Sequence, residues 1–224
     1  MELKLDNQKS VIKSLAEENF AIGLKELTSI DEDLASIVDK LGHPPIWKRE
    51  TGFAGLIQII LEQQVSLAAA KAVFERLRQT MVPLTPENFL TLDDTQLRTI
   101  GFSRQKSQYG RFLAGAIATG ELDLVQLATQ DEITIRTELK RIKGIGDWTV
   151  DIYLLLALQR PDVFPRGDLA LAIATQKLKN LTVRPTPAQL DAIADNWRPW
   201  RAVAARILWH YYLSGGQINL KTIN

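Results

Sequence analysis

Strict alternation of apolar and polar residues, the mark of a half-buried strand, is hard to find anywhere along this chain. Leu, Ala, Ile, Gln, Glu, Lys and Arg dominate instead, and most of these are strong helix formers. The pattern predicts an all-α protein, with helices near 8–21, 29–42, 51–63, 66–81, 94–100, 104–119, 130–142, 147–159, 168–180, 187–196 and 199–213. The breaks have chemical causes. His43-Pro44-Pro45 ends a helix, because proline lacks the amide and restricts its predecessor. Thr186-Pro187-Ala188-Gln189 reads as a capping box with proline at the first helical position. Asp93 or Asp94 caps a short helix that ends at Gly101, and Gly120 follows the 104–119 helix.

The 224 residues are 46% hydrophobic and 24% charged, enough to bury a core. The absence of cysteine excludes disulfides, iron–sulfur clusters and thiolate metal sites. His43 and His210 are the only histidines, too few for a multi-histidine metal centre. The first residues lack the apolar core of a signal peptide. The longest charge-free apolar run, Ile152 to Leu158, is about a third of a bilayer span. These features predict a reducing, aqueous compartment and no membrane partner. The net charge is only +1, so nucleic-acid binding would need local patches. Residues 1–50 carry a balance of −3 and the remainder +4. Basic residues cluster at Arg98, Arg104, Lys106 and Arg111, at Arg136, Lys140, Arg141 and Lys143, and at Arg198, Arg201 and Arg206. Each cluster reads either as a solvated helix face or as a phosphate-facing patch.

The segment Leu139 to Thr149 is the most informative. A helix runs into Gly144, turns through Ile145 and Gly146, and leaves as an almost wholly apolar helix from about Asp147. Two glycines around one isoleucine permit positive φ and a close backbone approach. The free amides at the new helix start favour an anion, with Lys143 and Lys140 beside them. The alternative is a plain helix corner with Ile145 as a core plug.

Five blocks in order resolve that choice. They are Leu61-Glu62-Gln63-Gln64-Val65-Ser66, Gly101-Phe102-Ser103-Arg104-Gln105-Lys106, the Ile142-Lys143-Gly144-Ile145-Gly146-Asp147-Trp148-Thr149 turn, Asp162-Val163-Phe164-Pro165-Arg166-Gly167-Asp168-Leu169, and Trp197-Arg198-Pro199-Trp200-Arg201. Over roughly residues 30–215 the chain resembles the helix–hairpin–helix DNA glycosylase superfamily, in its 3-methyladenine glycosylase II (AlkA-type) branch.

The resemblance implies roles. Asp168 matches the catalytic carboxylate and also fits a helix N-cap, and the two readings are compatible. Breaking an N-glycosidic bond develops positive charge on the sugar, which a fixed carboxylate stabilises. Trp148 stands where strand-cleaving relatives carry a Schiff-base lysine, implying a monofunctional enzyme that uses water. Trp148 is then an aromatic wall for the extruded base, with Trp47, Phe53 and Tyr153 as further pocket candidates. Tyr153 is one step round the helix from the usual tyrosine position, which holds Ile152. Gly167 stands where close relatives can have a second aspartate. Gln63, Gln64 and Ser66 match the block that fills the gap left by a flipped base, Gln64 best of all. Gly144, Gly146, Thr149 and Lys143 would meet the DNA backbone, with Arg104 and Lys106 adding phosphate contacts. Lys140, Ile142 and Ile145 match positions whose main-chain carbonyls hold a monovalent cation, sodium or potassium. Trp197, Trp200 and Trp209 read as core at helical spacing.

The architecture implied is two helical subdomains with a cleft between them. Residues 1–45 and 165–224 would form one, and 46–164 the other, with the hairpin at about 135–158. The activity implied is hydrolytic excision of alkylated purines, of the 3-methyladenine and 7-methylguanine type, from double-stranded DNA. No organic cofactor is required, and the chain would act as a monomer in the bacterial cytoplasm and nucleoid or in a eukaryotic nucleus. The competing reading is a non-catalytic binder of damaged or distorted DNA on the same scaffold.

Overall fold

The computed structural model describes residues 14–215, which are helical with no strand among them. The helices are α1 (Glu17–Ile30), α2 (Glu32–Leu41), α3 (Gly52–Glu62), α4 (Leu67–Thr80), α5 (Pro86–Leu90), α6 (Asp94–Ile100), α7 (Arg104–Ala118), α8 (Leu124–Leu127), α9 (Glu132–Lys140), α10 (Asp147–Ile152), α11 (Leu169–Leu178), α12 (Pro187–Ala194) and α13 (Arg201–Leu213). None is long and apolar enough to cross a membrane.

Two packing groups emerge. Helix α13 packs on α1, α2 and α11, while α3 packs on α4, α7 and α10. A single hydrophobic core runs through both groups, from Leu24 and Leu34 to Leu56, Leu139 and Leu208. Chain connections cross between them. Arg49 donates its amide to the Leu156 carbonyl at 2.9 Å, and Arg201 grips Asp162 at 2.8 Å.

Most helix starts are fixed by side chains. Asp93 makes a full capping box with Gln96, and Thr186 does the same with Gln189. Gly101 closes α6 in the left-handed region at φ 114°. The N-terminal part departs from expectation. Residues 8–13 of the helix expected at 8–21 lie outside the described residues. Residues 14–16 are not helical, and α1 runs unbroken through Gly23 to Ile30. Gly23 sits inside the helix because the Trp200 ring lies against it; a Cβ there would be 2.7 Å from that ring. The break falls at Asp31 instead, whose side chain accepts the amides of Asp33 and Leu34. The short helices α5 and α8 were not expected.

The apolar helix after the glycine turn widens into a π-turn over Tyr153–Ala157. Carbonyls near its end turn away from the ladder. Leu156 accepts the Arg49 amide, and Leu155 accepts Nη2 of Arg206 at 3.1 Å. Arg206 is wholly buried, and its other contacts are the carbonyls of Ala202 and Trp47 and the Gln159 amide oxygen. Desolvation without a nearby carboxylate pushes its guanidinium down to about 10. Arg206 is therefore a structural tie, not part of a DNA-facing patch.

Candidate active site

Asp168 sits at the N-cap of α11, and its Oδ1 accepts the Leu171 amide at 3.0 Å. The cap and the functional position coincide. Two tryptophans complete its surroundings. Trp148, from the second residue of α10, donates Nε1–H to Oδ2 at 2.8 Å. Trp209, from α13, donates Nε1–H to Oδ1 at 3.2 Å. Trp47, in the segment between α2 and α3, meets Trp209 edge to face, with centroids 6.4 Å apart. All four side chains belong to half-buried residues. The carboxylate is neither sealed in the core nor free in solvent, and it lies where the two packing groups meet.

The electrostatics are simple. All three donors to Asp168 are uncharged N–H groups. They orient both oxygens without cancelling their charge. Among the described residues Asp168 makes no ion pair, so a cation forming nearby would meet an uncompensated carboxylate. Indole faces beside it add attraction for a positively charged ring.

Two expected pocket residues lie elsewhere. Phe53 is 8% exposed and packs edge-on against Phe89 at 5.6 Å, in the core beneath α3. Tyr153 is 1% exposed, and its hydroxyl accepts the Gly52 amide at 3.0 Å. Five residues past Trp148, Tyr153 lies about 140° round the helix from it and faces the core rather than Asp168. Conversely Trp209, expected as core beside Trp197 and Trp200, belongs to the site. Trp197 and Trp200 are buried, as expected. Nine residues past Trp200, Trp209 lies about half a turn round the helix from it, which sets it apart from the buried face.

The glycine turn divides its labour. Gly144 has φ +99°, and a Cβ there would be 2.1 Å from the Tyr109 ring. Tyr109 is in turn held by Gln105, whose amide donates to its hydroxyl at 2.7 Å. Gly146 has φ −104°, which any residue adopts, and no atom lies within 4 Å of a Cβ built on it. Gly144 is thus required by the fold, whereas Gly146 leaves open space at an exposed surface. Tyr109 was not identifiable in advance, because nothing in the sequence says what covers Gly144.

The expected DNA-contact residues also split. Gln64 is exposed, at φ +55°, on the turn between α3 and α4. Ser66 caps α4 by accepting the Ala69 amide. Gln63 points inward, and its amide donates to the Gly144 carbonyl and the Thr149 hydroxyl, both at 2.9 Å. Thr149 is 2% exposed, so its side chain is not a surface contact. Lys106 donates to the Leu61 carbonyl at 2.6 Å, at the C-terminus of α3, and burial lowers its pKa. Lys143 lies over the Phe112 ring at 5.4 Å. Lys140 pairs with Asp147 across the hairpin at 2.6 Å. Most members of the other basic clusters are also engaged: Arg111 with Asp94, Arg136 with Asp151, Arg141 with Glu138, and Arg198 with Asp162 and Asp195.

Known proteins are similar to this chain in sequence and fold. Residues 57–199 match the profile of the HhH-GPD superfamily of base excision DNA repair proteins. DNA-3-methyladenine glycosylase 1 of Schizosaccharomyces pombe is 28% identical over 219 residues, which cover 93% of this chain and 92% of that protein. A putative DNA-3-methyladenine glycosylase of Bacillus subtilis, YfjP, is 28% identical over 184 residues, and the match spans 79% of this chain but only 64% of that protein. The solved structure of the S. pombe 3-methyladenine DNA glycosylase Mag1 with abasic DNA superposes with a TM-score of 0.79 at 28% identity, covering 84% of this chain and 95% of that one. With the match spanning well over half of its length, the chain belongs to the HhH-GPD superfamily of base excision DNA repair proteins.

Proposed function

We propose that this protein is a monofunctional DNA glycosylase that hydrolyses the N-glycosidic bond of alkylated purines in double-stranded DNA. The observation that carries this reading is the Asp168 carboxylate, fixed by three neutral donors and faced by tryptophans.

The target nucleotide must leave the stack to reach Asp168. Gln64, thrust outward at the tip of its turn, takes the vacated space and can hydrogen-bond the partner base. Gly146 admits a DNA phosphate at the hairpin. The base lodges among Trp148, Trp209 and Trp47. As the C1′–N bond lengthens, positive charge grows on the sugar and Asp168 stabilises it. The bonding electrons leave with the base. A water, oriented by the carboxylate, then forms a C1′–O bond and gives its proton to Asp168, leaving an abasic site.

The substrate class follows from what surrounds the carboxylate. Among the described residues no second carboxyl group joins its hydrogen-bonded cluster, so there is no dedicated acid to protonate a neutral leaving base. Purines alkylated at N3 or N7 are already cationic and need none, and the electron-rich indoles favour them. Trp148, in place of an amine nucleophile, supports hydrolysis without strand cleavage.

The carbonyls of Lys140, Ile142 and Ile145 suit a monovalent cation, because the donor set is carbonyl oxygen with no carboxylate in it. Such an ion would be held by these carbonyls, of which that of Ile142 also accepts the Ile145 amide, and would supply positive charge for a phosphate. We take the chain to act as a monomer.

The test is incubation with duplex DNA methylated at purines, followed by chromatography of the released bases. Release of 3-methyladenine and 7-methylguanine without strand nicking is expected. Tight binding with no release sinks the enzymatic reading. Borohydride trapping of a protein–DNA adduct sinks the monofunctional one.

A further inference from the structure

We infer that Gln63 is a positioning residue that locks the base-replacing turn to the glycine hairpin, so that the gripped phosphate dictates which nucleotide is extruded. This rests on the reading of Gln64 as the gap-filling residue, and it goes beyond that reading by assigning what holds Gln64 in place.

The two neighbours in sequence do opposite things. Gln64 turns outward in the left-handed region, and Gln63 turns inward. The Gln63 amide bridges two acceptors from the hairpin, the Gly144 carbonyl and the Thr149 hydroxyl, 81 and 86 residues away in sequence. These acceptors flank Gly146, one from each side of the turn. A single side chain therefore joins the gap-filling turn to both arms of the DNA-gripping corner.

Further contacts stiffen the same junction. Lys106 holds the Leu61 carbonyl, two residues before Gln63. Ser66, two residues after Gln64, is fixed as the cap of α4. On the hairpin side the Tyr109 ring presses on Gly144. The exposed Gln64 is thus a short projection from a rigid base, rather than the tip of a free loop.

The physical need is direct. Filling a vacated stack position costs unstacking and unpairing in the DNA. The turn that carries the filling residue feels the opposing push. If it yields, the nucleotide slips back. Its resistance must be referred to the DNA backbone, which the hairpin holds, and Gln63 is the hydrogen-bonded connection between them.

The experiment uses the whole chain and two duplexes, one intact and one with a tetrahydrofuran abasic analogue opposite 2-aminopurine. Affinity, 2-aminopurine fluorescence and thermal melting are measured for wild type, Gln63→Met, Gln64→Ala and the double variant. Methionine keeps the length of glutamine and removes the donor. Gln63→Met is expected to weaken binding of the abasic duplex about tenfold, the scale of one lost net hydrogen bond. It should shrink the fluorescence change and leave binding of the intact duplex near wild type, while the two acceptors left unpaired lower the melting temperature by several degrees. In the Gln64→Ala background it should add no further loss. Losses that multiply in the double variant overturn the inference, because Gln63 would then meet DNA itself. Equal loss on both duplexes, or no loss at all, also overturns it. Should Gln63→Met fail to fold, Thr149→Val removes one acceptor and gives the same comparison with a smaller expected loss. None of these readouts requires base release, so failure of the excision assay would leave this inference decided on its own terms.

Discussion

Trp209 Nε1 lies 3.2 Å from Asp168 Oδ1, so the helix that closes the fold reaches back to hold the aspartate that begins α11. Trp148 holds the other oxygen from the opposite packing group. The carboxylate's orientation therefore depends on both groups at once. A change in their relative placement would be felt first at this pair of hydrogen bonds. The orientation of this carboxylate and the packing of the two helix groups are the same physical problem here.

Replacing either indole with a benzene ring separates its hydrogen bond from its aromatic face. Trp148→Phe and Trp209→Phe are each expected to lower single-turnover excision about tenfold, from the loss of one N–H donor. Trp148→Phe should have the larger effect, because its bond is shorter and Trp148 is the sole donor to Oδ2. Single-turnover rates on methylated duplex check this. Unchanged rates in both variants would mean that the indole donors do not matter.

Asp168→Asn keeps an oxygen for the Leu171 amide, so the helix cap survives. That orientation places the amide N–H₂ opposite the Trp148 donor, at a cost of about 1 kcal/mol. The expected outcome is a melting temperature lowered by a few degrees and an excision rate lowered on the order of a thousandfold. Parallel calorimetry and base-release assays decide it. Full activity with lost stability would reduce Asp168 to a cap.

The two glycines of the turn should separate cleanly. Gly144→Ala drives a Cβ into the Tyr109 ring at a positive φ, and is expected to cost about 2–3 kcal/mol of stability. Gly146→Ala meets no protein atom, and its melting temperature should stay near wild type. Its affinity for duplex DNA should fall, because the methyl group occupies the space left for a phosphate. Melting curves and binding isotherms on both variants test the division.

Much of this was legible in the sequence, for identifiable reasons. The Thr186 capping box appears as read, and of the two cap candidates Asp93 and Asp94 it is Asp93 that caps, because a cap is a local interaction over three residues. Asp168 and Trp148 were found because their neighbours carry a distinctive order of residue types. What sequence could not show is which way a helix faces. Tyr153 lies on the face of its helix that packs inward, and Trp209 on the face of α13 that meets Asp168. The helix running through Gly23 was not expected, because the ring that packs on it, Trp200, lies more than 170 residues away. Gln63 was grouped with Gln64 because adjacent residues in a turn give no sign of pointing apart.

Asp151 supplies a pH dependence. It is buried on α10 against Arg136, and desolvation outweighs that partner, pushing its carboxyl from 3.8 up to about 6. A raised carboxyl pKa stabilises the fold fully below the unfolded value, and that contribution is lost as pH rises through 6. Between pH 4 and 7 the swing is on the order of 2–3 kcal/mol. Asp151→Asn cannot ionise, so its melting temperature relative to wild type should rise as pH goes from 4.5 to 7.5. A difference independent of pH would show that Arg136 fully compensates the buried charge.

The salt dependence of DNA binding distinguishes free cations from engaged ones. The sequence offers three basic clusters, but the structure ties many of their members to carboxylates. Arg198, for example, is paired with both Asp162 and Asp195. Arg104 is exposed and makes no ion pair among the described residues, and Lys143 sits on the hairpin over Phe112. Each phosphate contact contributes about one to the slope of log K against log salt. Arg104→Ala and Lys143→Ala should therefore each reduce that slope by about one. Arg198→Ala should leave it unchanged, with Asp162 still held by Arg201. Binding titrations of intact duplex from low to moderate salt measure all three. A slope that falls equally for Arg198→Ala would mean that the ion pairs open on DNA and that the engaged arginines serve as phosphate ligands after all.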